Sequence, residues 1–361
     1  MRTSLAIALV ALSTIVGASL TLLLLAAGAQ NPYGTVRKAQ LPDAAKPAEA
    51  APGTASGEPL WRERLRLTRA ARCARATPAV ACERVQPGAA AQGLTAALVH
   101  SVAEDRIVFV AFANAHYADF ATSWVANLAR ANCTNLLLGA MDGPALAIFD
   151  QLDVASFLMA APTFKRVSGQ SEYLKLGTFK TALISQILEF GVSVILSDVD
   201  NIILRDPRPI FARFPEASIL STADLLSATR TDGRLELVKP NELMLNVGLM
   251  LLRASSIELV REWAQHMVAH PTHWDQAIFD TMAKRRAPHP MPPTRGGQLW
   301  ACYGGKLLCG VLPVSTFCSG QVMNAEGLPR KLGLSPFALH TTFINSMDEG
   351  KRHRLREAKV F

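Results

Sequence analysis

From about position 106 the chain alternates short apolar runs with stretches of helical spacing. Residues 107–112 (IVFVAF) form a continuous apolar run, the pattern of a strand covered on both faces. Residues 117–131 have helical spacing, 136–140 are a second apolar run, and 145–152 predict a second helix. Over 176–190, Phe179, Leu183, Ile184, Ile187 and Leu188 fall on one helical face. Residues 192–196 (VSVIL) and 247–252 predict further buried strands. Helices are expected over 255–270, with Ser255 as N-cap, and over 274–284. Strands alternating with helices predict an α/β domain on a mostly parallel central sheet with right-handed crossovers. No internal repeat, P-loop or G-x-G-x-x-G fingerprint is present, which removes the common ATPase and dinucleotide classes.

The start of the chain has a different texture. Residues 4–29 carry no charge and are mostly Ala, Leu, Ile and Val, long enough for a helix to span a bilayer. Ala27-Gly28-Ala29 also has the small-x-small pattern of a signal-peptide cleavage site, so an uncleaved anchor and a cleaved leader both remain open. Either places the bulk of the chain on the lumenal side of the secretory pathway. Residues 38–59 are rich in Ala, Pro and Gly without apolar periodicity and predict a flexible stem. Residues 61–75 (WRERLRLTRAARCAR) predict a basic helix, read as solvated or membrane-proximal. The expected organisation is a membrane anchor over 1–30, a stem and basic linker over 31–100, and one domain over 101–361. Asn132-Cys133-Thr134 is an N-glycosylation sequon, usable in a lumenal chain.

Composition narrows the classes further. Half of the 361 residues are hydrophobic and 18% are charged, which excludes a wholly disordered chain. The net charge of +8 by itself would allow nucleic acid as a partner. An aromatic content of 7% and the absence of any nucleic-acid module argue against one. The six Cys contain no C-x-x-C pair. Cys302 with Cys309, Cys309 with Cys318, and Cys73 with Cys82 are the candidate disulfides, and spacing does not choose among them.

The apolar run at 192–196 leads straight into Ser197-Asp198-Val199-Asp200-Asn201. Ligands of open α/β sheets sit beyond the carboxyl ends of strands. Two carboxylates at i and i+2 of an extended segment point the same way and repel unless a cation neutralises them. A divalent metal there takes oxygen ligands and keeps open positions for phosphate oxygens. An EF-hand loop is excluded, because its fifth and sixth positions would be Ile202 and Ile203. A solvated acidic turn is the plain alternative.

The block YLKLGTFKTALISQILEFGVSVILSDVDNIILRDP, positions 173–207, resembles the nucleotide-diphospho-sugar transferase family. The segments at 328–343 (LPRKLGLSPFALHTTF) and 349–361 (EGKRHRLREAKVF), with STFCSG at 315–320, are similar to the extensin-type arabinosyltransferases of that family, which are glycosyltransferase family 77-like. The resemblance runs from about residue 106 to the end. It implies a GT-A-type domain, a retaining reaction, a UDP-sugar donor and Mn²⁺ or Mg²⁺. For this subgroup the donor would be UDP-β-L-arabinofuranose. The acceptor would be an arabinosylated, hydroxyproline-rich, extensin-like glycoprotein. The setting implied is the Golgi membrane, with type II topology. Transfer of xylose or galactose, or a non-catalytic sugar-nucleotide binder, are the alternatives.

The resemblance and the residues together nominate a site. Asp198 and Asp200 are expected at the metal and diphosphate, with His340 as third metal ligand, since neutral imidazole suits Mn²⁺. Lys351 and Arg352, in a basic run near the end, would neutralise the diphosphate as its bond to the sugar breaks. Lys175 and Lys180 are candidate donor contacts. Asn114, just beyond the first strand, is a candidate for the uracil or ribose. Asn246, in an Asn-x-Gly segment, is expected to line the sugar site. Asp275 and Gln276 open a helix and match the family's Asp-Gln element; they are the candidate catalytic pair, for positioning the acceptor or stabilising positive charge. A plain helix-start charge is the alternative for Asp275.

Overall fold

The computed structural model describes residues 59–75, 93–159, 172–225, 227–228, 230, 232–237, 242–285, 294–344 and 347–361. The expected anchor and most of the stem lie outside them. Among the described residues no helix is long and apolar enough to cross a membrane.

Eight strands form the main sheet in the order β3-β2-β1-β4-β7-β6-β9-β8. They are β1 (Ile107–Ala113), β2 (Leu136–Ala140), β3 (Ala155–Leu158), β4 (Ser193–Ser197), β6 (Ile219–Ala223), β7 (Leu245–Leu252), β8 (Leu299–Cys302) and β9 (Leu307–Val311). The first four spatial neighbours are all parallel. Beyond β4 the expectation of a mostly parallel sheet fails: β7 runs antiparallel to both β4 and β6, and β8 antiparallel to β9. The sheet is mixed because β6 to β9 are not joined by repeated strand–helix–strand crossovers. Alternation in β1 explains why its run is unbroken: Phe109, Ala111 and Ala113 pack on one face, and Val108, Val110 and Phe112 on the other.

Helices cover both faces. On the first lie α3 (Ala118–Arg130), through Phe120, Trp124 and Leu128, and α4 (Gly143–Asp150), through Phe149. Asp142 starts α4, its carboxylate accepting from the Ala145 amide at 2.7 Å. On the second face lie α5 (Glu172–Glu189), α7 (Ile257–Ala269) and α8 (Asp275–Ala283), through Ile184, Ile187, Trp263 and Phe279. The remaining helices are α1 (Leu60–Arg75), α2 (Ala96–Val102), α6 (Arg208–Ala212), α9 (Leu328–Leu332) and α10 (Met347–Glu357).

Two local expectations are corrected. Helix α1 is not wholly solvated: Trp61 and Leu65 are buried in the α3 cluster, and the Arg64 guanidinium donates to the Ala129 carbonyl at 2.7 Å. Arg64 and Arg66 are exposed, because the buried stripe of the helix is narrow. Ser255 does not cap α7. It lies inside a short 3-10 turn, Ala254–Ser256, and the Ser256 hydroxyl donates instead to the Arg253 carbonyl.

A second, small sheet positions the chemistry. Strand β11 (Ala338–His340) lies between β10 (Phe317–Ser319) and β5 (Asn201–Ile203), with His340 opposite Asn201. Strand β7 bulges against β6: Ser221 pairs with Met250 while Thr222 pairs with Asn246, so residues 247–249 have no partner on β6, although Leu249 still pairs with Ser197 of β4. Bulges of this kind re-aim backbone beside a site.

Candidate active site

The turn after β4 carries the two aspartates. It closes by the Asn201 amide donating to the Asp198 carbonyl at 3.0 Å, so the pair sits on a tight turn rather than on continued strand. The bulge clamps this turn: the Gly248 carbonyl accepts from the Asp198 amide at 2.9 Å and from the Asn201 side-chain amide at 3.2 Å. His340 arrives from the other side on β11. Its Nε2 stands 3.5 Å from Asp200 Oδ1 and 4.0 Å from Asp198 Oδ2. Gly248 leaves the room for it. A Cβ there would collide with His340 Cε1 and lie 2.8 Å from Nδ1.

Asp200 is held on every side. Thr341 donates its hydroxyl to Asp200 Oδ2 at 3.1 Å and its amide to the Asp200 carbonyl at 3.2 Å. Lys351, from α10, reaches Oδ2 at 2.7 Å. That leaves Oδ1 turned toward His340. Burial works against the Asp200 charge, but His340 and Lys351 outweigh it and hold the carboxyl far below its ordinary range. Burial likewise works against a charged His340, and the two aspartates reverse the effect, so its pKa is raised.

This donor set fits a divalent cation. One ligand atom from each of Asp198, Asp200 and His340 lies within 4.8 Å of the others. In an octahedral shell of ~2.1 Å radius, ligand atoms stand ~3.0 to 4.2 Å apart, which spans the His340–carboxylate distances. Two carboxylate oxygens and one imidazole suit Mg²⁺ or Mn²⁺, the nitrogen favouring Mn²⁺. The two aspartates that raise the His340 pKa would favour such a cation in the same way.

A second cluster adjoins the first. Lys180 of α5 is buried, with Nζ 3.0 Å from Asp275 Oδ2 and 3.6 Å from Asp198 Oδ1. Asp275 opens α8 and accepts from the Gln276 amide at 2.8 Å. Gly177 makes this possible: a Cβ there would sit 3.0 Å from Asp275 Cβ. Gln276 and Asn246 both donate to the Asp224 carboxylate, at 2.7 and 2.9 Å. Their oxygens then accept from the bulge, Asn246 from the Gly248 amide at 2.8 Å and Gln276 from the Val247 amide at 3.4 Å. Asp224 therefore sets the orientation of both amides.

Sequence reasoning nominated Asp198, Asp200, His340, Lys180, Lys351, Asn246, Asp275 and Gln276, and the fold brings all eight into these two joined clusters. Of the other nominees, Arg352 and Asn114 have partners outside these clusters. Arg352 turns toward α3, where its guanidinium pairs with Asp119 at 2.6 Å, and its partner on its own helix is Glu349. The Asn114 side chain caps the turn after β1, accepting from the Tyr117 amide at 3.3 Å. Lys175 lies on α5, but its side chain is outside the described residues. Asp224 and Thr341 were missed, and Gly248, read as part of the Asn-x-Gly segment, proves to be the position that makes room for His340. Asp224 stands in a polar stretch with no motif, and Thr341 gave no signal beyond its place after His340. Tyr117 was also missed as a neighbour of the site; its hydroxyl donates to the Asp348 carboxylate at 3.1 Å, and burial and that carboxylate push its pKa up.

A site of paired aspartates and a distant histidine at the end of a central strand accords with one family. The model of the nucleotide-diphospho-sugar transferases matches residues 131–355, and the chain belongs to that family. Among curated proteins, it is similar to arabinosyltransferase XEG113 of Arabidopsis thaliana, with 34% identity over 272 residues, 74% of this chain and 42% of that one. It is also similar to beta-arabinofuranosyltransferase RAY1 of Arabidopsis thaliana, with 25% identity over 193 residues, 50% of this chain and 33% of that one. The chain thus spans less than half the length of these relatives. Among solved structures, a glycosyltransferase involved in glycosylation of the PBCV-1 major capsid aligns with a TM-score of 0.40 at 12% identity, over 69% of this chain and 98% of the other. The galactosyltransferase LgtC, in complex with donor and acceptor sugar analogues, aligns at 0.39 and 11%, over 70% and 94%.

Proposed function

We propose that the chain is a metal-dependent, retaining glycosyltransferase of GT-A type. It transfers L-arabinofuranose from UDP-β-L-arabinofuranose to an arabinosylated, hydroxyproline-rich glycoprotein. The observation that carries the reading is the convergence of Asp198, Asp200 and His340 within 4.8 Å, from segments about 140 positions apart in sequence. The arabinosyl donor is supported by the two arabinosyltransferase relatives and by the C-terminal segments.

A bound Mn²⁺ or Mg²⁺ would neutralise the donor diphosphate, making it a better leaving group. Asp198 and Asp200 Oδ1 would hold the cation together with His340. Lys351 keeps Asp200 ionised and oriented, and its charge would help offset negative charge on a leaving diphosphate. Lys180 keeps the Asp275 carboxylate fixed beside the metal residues. Asp275 would then position the acceptor or stabilise positive charge on the transferring sugar. Gln276 and Asn246, oriented by Asp224, would line the sugar pocket. In the cell, residues 4–29 would anchor the enzyme in the Golgi membrane as a single-pass type II protein, with the domain lumenal.

The test is a donor screen on the fragment from about residue 60, with Mn²⁺ and an arabinosylated hydroxyproline peptide. UDP-arabinofuranose, UDP-xylose, UDP-galactose and UDP-glucose are each offered. Transfer from UDP-arabinofuranose alone, abolished in Asp198→Ala/Asp200→Ala, is the expected result. Transfer from another donor overturns the sugar assignment. Binding of UDP without transfer or hydrolysis overturns the enzymatic one.

A further inference from the structure

The sequence holds a single N-x-[S/T] triplet, Asn132-Cys133-Thr134, and nothing in the proposed active site uses it. The fold puts it in the turn between α3 and β2. Two backbone bonds end the helix there: the Asn132 amide donates to the Ala129 carbonyl at 3.2 Å, and the Cys133 amide to the Leu128 carbonyl at 2.9 Å. Asn132 takes the left-handed conformation, φ +62°, that closes such a cap, and after glycine asparagine adopts it most readily. Arg64 of α1 donates to the Ala129 and Arg130 carbonyls at 2.7 and 3.2 Å, and Arg208 to the Asn132 carbonyl at 3.1 Å. These contacts fix the backbone of the turn from both sides. The Asn132 side chain is exposed and has no hydrogen-bond partner among the described residues. Cys133 beneath it is buried and free, so no disulfide ties the middle of the triplet.

Helix capping by itself accounts for an asparagine at 132, and the Thr134 hydroxyl donates to Glu104 at 3.1 Å. Neither role forbids modification. Oligosaccharide transfer reads the triplet in a chain still unfolded as it enters the lumen, and the folded protein must then leave the product at its surface. The sheet register shows where that surface lies. Phe109 of β1 pairs with Leu136 of β2 on one side and with Ile195 of β4 on the other, so Leu136 and Ile195 are level, and the three strands run parallel. Asn132 precedes Leu136, whereas Asp198 follows Ile195 by three residues, a rise of ~10 Å. The two side chains thus belong to opposite ends of the sheet. A glycan on Asn132 would project from the amino-terminal edge, away from the metal residues beyond the carboxyl ends.

We propose that Asn132 is an N-glycosylation site whose single glycan stands on the edge of the sheet opposite the active site. The proposal rests on the lumenal topology proposed above, and on no choice of donor sugar or acceptor. The co-reactant is an oligosaccharide carried on a lipid pyrophosphate. Asn132 Nδ2 forms a bond to the anomeric carbon, and the bond from that carbon to the pyrophosphate oxygen breaks. The lipid pyrophosphate leaves with the electron pair, and the amide nitrogen releases one proton.

The test expresses the full chain in cultured animal cells and treats the isolated membranes with peptide-N-glycosidase. One step of increased electrophoretic mobility is expected, with conversion of the Asn132 amide to a carboxylate in peptide mapping. Asn132→Gly should abolish the step without unfolding the domain, because glycine is the residue that left-handed caps favour. Thr134→Ser keeps the hydroxyl and should keep the step. Absence of the step in the unaltered chain overturns the proposal, and so does its persistence in Asn132→Gly. Proteinase digestion of the sealed membranes separates the causes of an absent step. A protected domain without glycan overturns the modification alone, and a digested domain overturns the lumenal topology with it.

Discussion

Lys180 and Asp275 form a buried ion pair, 3.0 Å between Nζ and Oδ2, with 6% of each side chain exposed. The same Nζ stands 3.6 Å from Asp198. One cation thus ties the helix-opening Asp-Gln element to the paired aspartates. Removing one partner of a buried pair leaves the other charge uncompensated, at a cost of ~3–5 kcal/mol. Lys180→Met should lose that much by urea denaturation and should abolish transfer. Lys180→Met/Asp275→Asn should regain part of the stability without regaining activity. A loss below about 1 kcal/mol in the single variant would show that the pair is not buried as described.

Gly248 is required by its neighbour, not by its own backbone conformation. A Cβ at this position overlaps the His340 ring. Gly248→Ala should displace that ring while the surrounding strands hold. Mn²⁺ affinity, followed by electron paramagnetic resonance titration, should fall by ~10-fold or more, within the range found when ligand orientation is lost. Thermal stability should change little by comparison.

Metal affinity should depend on pH through His340. Its pKa is raised in the folded protein, so without metal the proton it holds is favourable at low pH and is lost as pH rises through the folded value. A metal competes with that proton. Mn²⁺ affinity should therefore rise with pH through and above the ordinary histidine value of ~6.5, by at most tenfold per unit, and then level off. Asp200 has the opposite sign. Its depressed pKa contributes stability above the ordinary carboxyl range, lost only as pH falls well below it. His340→Gln should flatten the rise above pH 6. An unchanged profile in that variant would remove His340 from the metal site.

Among the described residues the candidate disulfide that forms is Cys302–Cys309, across the edge hairpin of β8 and β9, while Cys82 of the Cys73–Cys82 pair lies outside them. Cys318 is free and buried, its thiol pushed up to about 12 by that burial. The bridge closes a loop of seven positions, for which chain entropy predicts ~2–3 kcal/mol of stabilisation. Cys302→Ser/Cys309→Ser should lose about that amount. Peptide mapping without reduction should find Cys318 alkylated only after unfolding.

Much of the fold was legible because burial on both faces writes itself as unbroken apolar runs, as at 107–112 and 192–196. Strand direction was not, since an antiparallel β7 has the same apolar texture as a parallel one. The capping of α7 was misread at Ser255 because the 3-10 turn before it shifts the start by two positions. At the site, Asp198 and Asp200 announced themselves by following a buried strand. Arg352 was nominated with Lys351 from one basic run. The helix then separated them, aiming Lys351 at Asp200 and Arg352 at Asp119. Adjacent positions on a helix point about 100° apart, so a charge run never delivers all its members to one ligand.

Local order along the chain determined which residues could carry chemistry: two aspartates after an apolar strand, a histidine in a C-terminal segment, an Asp-Gln pair opening a helix. Those are properties of neighbours in sequence, fixed by the periods of strand and helix. Only the tertiary structure decided that His340 meets the aspartates, that Lys180 joins them to Asp275, and that Asp224 orients Asn246 and Gln276. Those contacts join residues from 18 to 142 positions apart, and the His340 contact in particular depends on the β5–β11 pairing and the absence of a side chain at Gly248. Such long-range contacts follow from packing geometry, which no local pattern of residues encodes.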